Sequence, residues 1–222
     1  MESQVVEGKS LPFVLVKPPG FTPGDGTPLV VLVHGRGASM YDLAGLAPVI
    51  DASGYVYAFP NGPYSFYGMG QSWVAGQPGV EPVPEGAPSI TELFDGFMAE
   101  AIEATGVERG NIVLGGFSQG GGVTLRYGLP RPETFKGLMV LSGAFREAGQ
   151  VELPAEKTQP IFVVHGTNDQ VLEVDMGRRT KAYLEQEGYP VSYHEYPMAH
   201  EITPAVIRDL VPWLHETLPP KA

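Results

Sequence analysis

One stretch constrains this chain more than any other: Ile112-Val113-Leu114-Gly115-Gly116-Phe117-Ser118-Gln119-Gly120-Gly121-Gly122. Its apolar run reads as a buried strand, a serine follows in a tight glycine-flanked turn, and a helix-compatible segment comes next. That order is the context in which G-x-S-x-G presents a serine hydroxyl at the end of a sheet. Gly116 and Gly120 flank Ser118 where the chain folds back, and a β-carbon at either place crowds the turn. The serine is expected in strained backbone geometry that aims its hydroxyl away from the sheet. The N–H of Gln119 opens the helix and can point at a developing oxyanion. A glycine-rich strand–helix turn also serves as a phosphate cradle, but the pattern G-x-x-x-x-G-K-[ST] is absent and no lysine follows.

Further apolar runs recur on either side. Residues 11–16, 29–33, 55–59, 137–142, 161–164 and 191–196 read as strands, several of them apolar throughout, as in strands buried on both faces. Helical segments fall between them. A short one is expected near 41–47. A clear one starts at Ser89, where Glu92 completes a capping box, and closes at Gly106. The helix after Ser118 stops at Pro130, and another runs from 174 to 187 with Gly188 as its stop. The last begins at Thr203-Pro204, and Pro212 is expected to kink it or divide it in two. Residues 60–88 are rich in glycine, proline and aromatics, and a loop of that length inside a compact domain is usually functional. Strands alternate with helices, and none of the connections is a two-residue hairpin. The reading is one α/β domain over 1–222, with a mostly parallel sheet covered by helices on both faces.

Composition narrows the chemistry. A formal charge of −11 argues against nucleic acid or an anionic membrane surface as partner. With no cysteine, disulfides, thiolate metal sites and a cysteine nucleophile drop out together. No apolar run approaches the roughly 18–20 residues of a spanning helix. Met1–Glu7 lacks the basic flank and apolar core of a secretory signal, so the expected location is cytoplasmic.

In such sheets ligands sit beyond the carboxyl ends of the strands. Ser118, Asp169 and His200 all lie just after strands, in the chain order Ser…Asp…His. A serine hydroxyl is a weak nucleophile until an imidazole takes its proton, and an acid fixes the imidazole's tautomer. Glu173 and Asp175 are the nearby alternatives to Asp169, and both lie deeper into the next helix. His194 sits within a strand and reads as structural, His215 as solvated on the last helix, and His165 as a packing or hydrogen-bonding residue. No pair of histidines has metal spacing, so no metal is expected. His34-Gly35-Arg36-Gly37 follows the 29–33 strand and holds the second candidate oxyanion donor, the N–H of Arg36, beside that of Gln119. The Arg36 side chain is left between two roles: reaching an acyl carboxylate or pairing with a surface acid.

Four motifs together, Gly115-Gly116-Phe117-Ser118-Gln119-Gly120-Gly121, His34-Gly35-Arg36-Gly37, His165-Gly166-x-x-Asp169-x-Val171 and Met198-Ala199-His200-Glu201, resemble the phospholipase/carboxylesterase family of α/β-hydrolases. That group contains bacterial carboxylesterases and acyl-protein thioesterases. The resemblance implies a serine esterase with the triad Ser118, Asp169 and His200, no cofactor, and often a homodimer. Gln71-Ser72-Trp73 is similar to the tryptophan-bearing loop that lines the family's substrate site. Arg36 departs from the pattern, since many relatives carry an apolar residue there.

No insertion large enough for a helical lid precedes Asp169, because only 142–159 intervene before the 161–164 strand. An open site suits small soluble esters. Tyr64, Phe66, Tyr67, Trp73, Phe145, Met176 and Met198 are the candidates for an apolar wall, with Trp73, Phe145 and Met198 as expected substrate contacts. The expected reaction is hydrolysis of short-to-medium-chain carboxylic esters through an acyl-serine intermediate. Thioesterase or lysophospholipase activity on longer acyl chains is the alternative, and a catalytically silent binding protein on the same fold is a third reading.

Overall fold

The alternation within each apolar run decides how the chain is layered. The structure, a computed structural model, describes residues 1–146 and 148–221. Its first strands are β1 (Glu2–Val6), β2 (Phe13–Lys17), β3 (Leu29–Val33) and β4 (Val56–Pro60), with a single 3-10 turn and the short helix α1 (Ala47–Ile50) between the last two. A small hairpin, β5 (Tyr64–Phe66) and β6 (Gly70–Ser72), precedes α2 (Ile90–Thr105). Then come β7 (Ile112–Phe117), α3 (Gln119–Gly128), β8 (Gly137–Leu141) and β9 (Ile161–Gly166). The chain finishes with α4 (Val174–Gln186), β10 (Val191–Tyr196) and α5 (Pro204–Thr217).

Eight strands make one sheet in the order β1-β2-β4-β3-β7-β8-β9-β10. From β4 to β10 every pairing is parallel; β1–β2 and β2–β4 are antiparallel. Within β3, Leu29, Val31 and Val33 face one core while Val30 and Leu32 face the other, as the two-residue period of a strand requires. The first core takes Phe94, Phe97 and Ala101 of α2, Leu125 of α3 and Leu184 of α4. The second takes Ile50 of α1 and Val206, Leu210 and Leu214 of α5. Helices therefore cover both faces, as expected of an α/β chain.

Three elements differ from the sequence reading. β1 is an added edge strand that pairs Glu2 with Lys17 through Val6 with Phe13; it is almost wholly exposed, so no apolar alternation announced it. The expected helix at 41–47 lies later, in the turn Ala44–Leu46 and α1. α5 runs unbroken through Pro212. Proline removes the hydrogen bond to the carbonyl of Arg208, but both residues are exposed, so water can take that carbonyl. Leu210 and Leu214 meanwhile hold the helix on the core.

The long 60–88 segment is organised by β5 and β6, and it docks on the loop after β3. Gly37 N–H donates to the Gln71 carbonyl at 2.7 Å, and Gln71 N–H donates to the Ala38 carbonyl at 2.8 Å. Buried His34 braces the same junction. Its Nδ1 lies 2.7 Å from the carbonyl of Gly35, which can only accept, so Nδ1 carries the proton. Nε2 then accepts from the N–H of Gly62 at 2.9 Å. Burial holds the imidazole below its ordinary value of 6.5, outweighing the Gly35 carbonyl and Asp42. Trp73 adds a third tie, its indole N–H donating to the His34 carbonyl at 2.9 Å.

Two outcomes follow for stability. In Gly120→Ala the new β-carbon meets the Val33 carbonyl oxygen at 2.1 Å and that of His34 at 2.7 Å, an overpacking expected to cost at least about 1–3 kcal/mol. Gly45, with nothing within 4 Å and no positive φ, is the matched control, and Gly45→Ala should be neutral or stabilising by up to about 1 kcal/mol. Denaturant midpoints compare the two; a wild-type midpoint for Gly120→Ala contradicts the close approach. The second outcome concerns pH. The unfolded chain protonates His34 near 6.5 and the folded chain only lower, so this contribution to stability is complete above that pH and declines as pH falls through it. Stability measured from about pH 8 to about pH 5 should fall less steeply in His34→Gln than in wild type. Parallel curves across that window contradict a neutral, load-carrying His34.

Candidate active site

Because β3, β7, β9 and β10 run parallel, their carboxyl ends share one edge of the sheet, and the residues that follow each strand are gathered there. After β7 the chain turns at Ser118, whose φ of 54° and ψ of −117° lie outside the ordinary regions for a residue with a side chain. A β-carbon on Gly116 would sit 2.3 Å from Gly120 carbon and oxygen atoms, so only glycine permits the reversal. Ser118 N–H donates to the Leu141 carbonyl at 2.9 Å and its own carbonyl accepts from Gly121 at 3.0 Å. The backbone is thus pinned on both sides while the hydroxyl stays at the edge.

The loop after β3 passes directly beside this turn: a β-carbon on Gly35 would lie 3.3 Å from the Ser118 β-carbon. Among the described residues, neither the Arg36 N–H nor the Gln119 N–H donates to another group. Two free donors therefore flank the serine from two different elements. The Gln119 side chain does separate work that the sequence reading did not anticipate. Its Oε1 accepts from the Trp73 N–H at 2.9 Å and its Nε2 lies 3.2 Å from the Ser72 hydroxyl, tying the tryptophan loop to the start of α3.

Asp169 and His200 meet because β9 and β10 pair in parallel up to Gly166 and Tyr196, and their following loops continue the contact. Thr167 N–H donates to the Tyr196 carbonyl at 2.8 Å and Asn168 N–H to the Met198 carbonyl at 3.1 Å. Asp169 Oδ1 accepts from the N–H groups of Val171 and Leu172, both at 2.9 Å. That leaves Oδ2 for the imidazole Nδ1 of His200, at 2.6 Å. The Asp169 side chain is wholly buried. Burial alone would raise its carboxyl, but the bonds from His200, Leu172 and Val171 together hold it below its ordinary value of 3.8. It is therefore a carboxylate with one oxygen committed to backbone and one to the ring. The alternatives Glu173 and Asp175 do not reach His200; Asp175 pairs with Arg178 at 3.0 Å.

His200 packs on the Phe117 ring, centroids 4.8 Å apart, beside Ser118. Among the described residues no hydrogen bond joins the imidazole to the Ser118 hydroxyl; such contacts often tighten only in the substrate complex. Of the other histidines, His165 is fully buried with Nε2 2.7 Å from the Leu172 carbonyl and 3.5 Å from Asp169 Oδ2, supporting the acid loop from below. His194 stays on β10 against Phe162, centroids 5.1 Å apart, and His215 lies 3.4 Å from Asp51 on α5. Among the described residues no three metal-ligating side chains converge.

A cleft of about 220 Å³ opens at Ser118 and Gln119 and is walled by Trp73, Ile90, Phe94 and Val123. Trp73 stands where the sequence reading put it. Phe145 and Met198 do not. Phe145 is buried with its ring on Tyr183 at 5.6 Å, because its N–H is held by the Thr180 hydroxyl at 3.0 Å. Met198 belongs to the second core under the His200 loop. Tyr64, Phe66, Tyr67 and Met176 also lie off the wall. The residues that do form it, Ile90 and Phe94 of α2 and Val123 of α3, carried a signal: each falls on a helical face, but so do the core residues beside them.

The sequence profile of the family described as Phospholipase/Carboxylesterase matches residues 23–218. Among relatives, an acyl-protein thioesterase 1 of Mycosarcoma maydis is 36% identical over 116 residues, 49% of this chain and 48% of that protein. One of Debaryomyces hansenii is 26% identical over 210 residues, covering 85% and 90%. The chain spans 48%, 60% and 56% of the lengths of the first three fungal relatives it matches. In structure it is similar to esterase PE8, with a TM-score of 0.75 at 22% identity covering 98% of this chain and 100% of that one. The Bacillus cereus carboxylesterase gives 0.70 at 21%, covering 93% and 94%. The fold of these two is shared throughout, and with the profile match over nearly its whole length this chain belongs to the phospholipase/carboxylesterase family of α/β-hydrolases.

Proposed function

We propose that this protein is a serine carboxylesterase acting on short-to-medium-chain esters, with Ser118 as nucleophile, His200 as base and Asp169 as the acid that orients it. One observation carries the reading: a carboxylate fixed by two N–H groups holds His200 Nδ1 at 2.6 Å at the sheet edge where a strained serine is flanked by two free N–H donors. His200 Nε2 takes the Ser118 proton as Oγ attacks the ester carbonyl. The oxyanion accepts from the Arg36 and Gln119 N–H groups, and removing one such donor typically costs about 2.7–4 kcal/mol of transition-state stabilisation. His200 then protonates the leaving alcohol, and water attacks the acyl-serine by the same route in reverse.

The size of the cleft, about 220 Å³, supports short acyl groups over long ones. The likeness to fungal proteins named acyl-protein thioesterase 1 supports the second reading, in which the same three residues cleave thioesters of longer chains.

Ser118→Ala should abolish turnover of p-nitrophenyl esters with an unchanged unfolding midpoint, and Asp169→Asn should lower kcat about 10⁴-fold by favouring the wrong imidazole tautomer. Near-normal rates in Asp169→Asn contradict its role. Across esters from acetate to palmitate, kcat/KM should peak among the shorter chains. A maximum at palmitate, or a thioester turned over faster than its oxygen ester, moves the assignment to the thioesterase or lysophospholipase reading.

A further inference from the structure

Among the described residues, the wall of the cleft carries Arg36, Arg126 and Arg146 and no aspartate or glutamate, in a protein with 25 acidic and 14 basic residues. Among the described residues none of the three enters an ion pair. By contrast Arg131 and Arg178 elsewhere are paired with Asp95, Asp175 and Glu195. Positive charge therefore lines the cleft at Ser118, against the acidic balance of the chain.

The three are not equivalent. Arg36 lies with its guanidinium 5.4 Å from the Phe66 ring centre, on the hairpin side of Ser118. Arg126 follows Gln119, Gly122 and Val123 along one face of α3, seven residues beyond Gln119, which is about 10 Å of helix. Helix side chains lean towards the N-terminus, so Arg126 leans back over the cleft. Arg146 lines the same cleft from the loop after β8, whose Ala144 carbonyl would lie 3.1 Å from a β-carbon on Gly122 of α3. The wall also carries the apolar side chains of Trp73, Ile90, Phe94 and Val123, alongside polar Gln77, Thr91 and Gln119. Nucleophile, apolar side chains and guanidinium groups thus share one cleft.

We infer that the preferred substrates are esters whose acyl chain ends in a carboxylate, the monoesters of medium-length dicarboxylic acids, with the distal carboxylate bound by Arg126 and Arg146. This rests on the esterase reading above and deepens it. A guanidinium binds a carboxylate through paired charge-assisted hydrogen bonds, and a cleft walled by low-dielectric side chains focuses its field on an incoming anion. The apolar side chains of the wall accommodate the methylenes between the ester and the distal carboxylate.

The test compares p-nitrophenyl hemiadipate with p-nitrophenyl hexanoate, acyl groups of equal length that differ by the terminal charge. In wild type kcat/KM should favour the hemiadipate by about tenfold or more, and the preference should shrink as salt rises. In Arg126→Gln/Arg146→Gln the ratio of the two should drop at least about tenfold, the scale of one lost charge-assisted bond. Arg208→Gln, at an exposed position of α5, changes the net charge away from the cleft and should leave the ratio alone. A wild-type ratio at or below one, or a ratio unmoved in the double variant, overturns the inference. So does a preference that appears only when the charge is on the alcohol, as in a butyrate ester of 4-hydroxybenzoate, which would assign the guanidinium groups to the leaving group. Equilibrium binding of adipate itself to Ser118→Ala protein keeps the two proposals separable. If wild type turns over neither ester, the esterase reading fails, while adipate binding that is weakened at least tenfold by Arg126→Gln/Arg146→Gln still upholds the anion site, and its absence rejects it.

Discussion

The site depends on how closely α3 can start to the end of β3. Where Gly120 stands, a β-carbon would lie 2.1 Å from the Val33 carbonyl, so the absence of a side chain there lets the helix begin against the neighbouring strand. That approach accompanies the close passage of the loop carrying Arg36, where a β-carbon on Gly35 would lie 3.3 Å from the Ser118 β-carbon. It also forces Ser118 into its left-handed, strained conformation. The strain is affordable because the surrounding backbone is over-determined by β7–β3 and β7–β8 pairing. Everything else at this edge, including the His34 brace, keeps the loop after β3 from moving away.

The acid and the base reach the same edge by a second device. Residues remote in sequence are brought together because parallel strands end level with each other, and each loop hydrogen-bonds to its neighbour just beyond the register. A β-carbon on Gly166 would lie 2.3 Å from the Met198 carbonyl, so here too the two loops are as close as backbone allows. The carboxylate is satisfied before the imidazole arrives, with two N–H donors on Oδ1, which fixes the direction from which Oδ2 can be approached. His165 underneath completes the support, with Nε2 2.7 Å from the Leu172 carbonyl and 3.5 Å from Asp169 Oδ2.

How much of this was legible in the sequence varies by residue. The strands of the parallel core, the glycine-flanked turn at Ser118 and the capping box at Ser89 were readable because each is a local steric or hydrogen-bonding requirement written in residue type. β1 was not, since an exposed edge strand needs no apolar alternation, and the unbroken passage of α5 through Pro212 depends on which way a freed carbonyl faces. Asp169 and His200 could be placed after strands from their order, but their 2.6 Å contact is a product of register. Phe145 and Met198 show the opposite failure: large apolar side chains near a site are as easily claimed by the core. Arg126 was findable, because its spacing from Gln119, Gly122 and Val123 is that of one helical face, yet only the fold shows that this face lines the cleft.

The central claim is that the Ser118 hydroxyl attacks a carbonyl whose oxygen is received by the Arg36 and Gln119 amides while His200, held by Asp169, manages the proton. A crystal structure of the protein reacted with an alkyl phosphonate mimics the tetrahedral state. The account predicts phosphorus bonded to Ser118 Oγ, one phosphonyl oxygen about 2.7–3.1 Å from both amide nitrogens, and His200 Nε2 turned towards Oγ. A phosphonyl oxygen directed away from both amides, or attachment to any other residue, contradicts it.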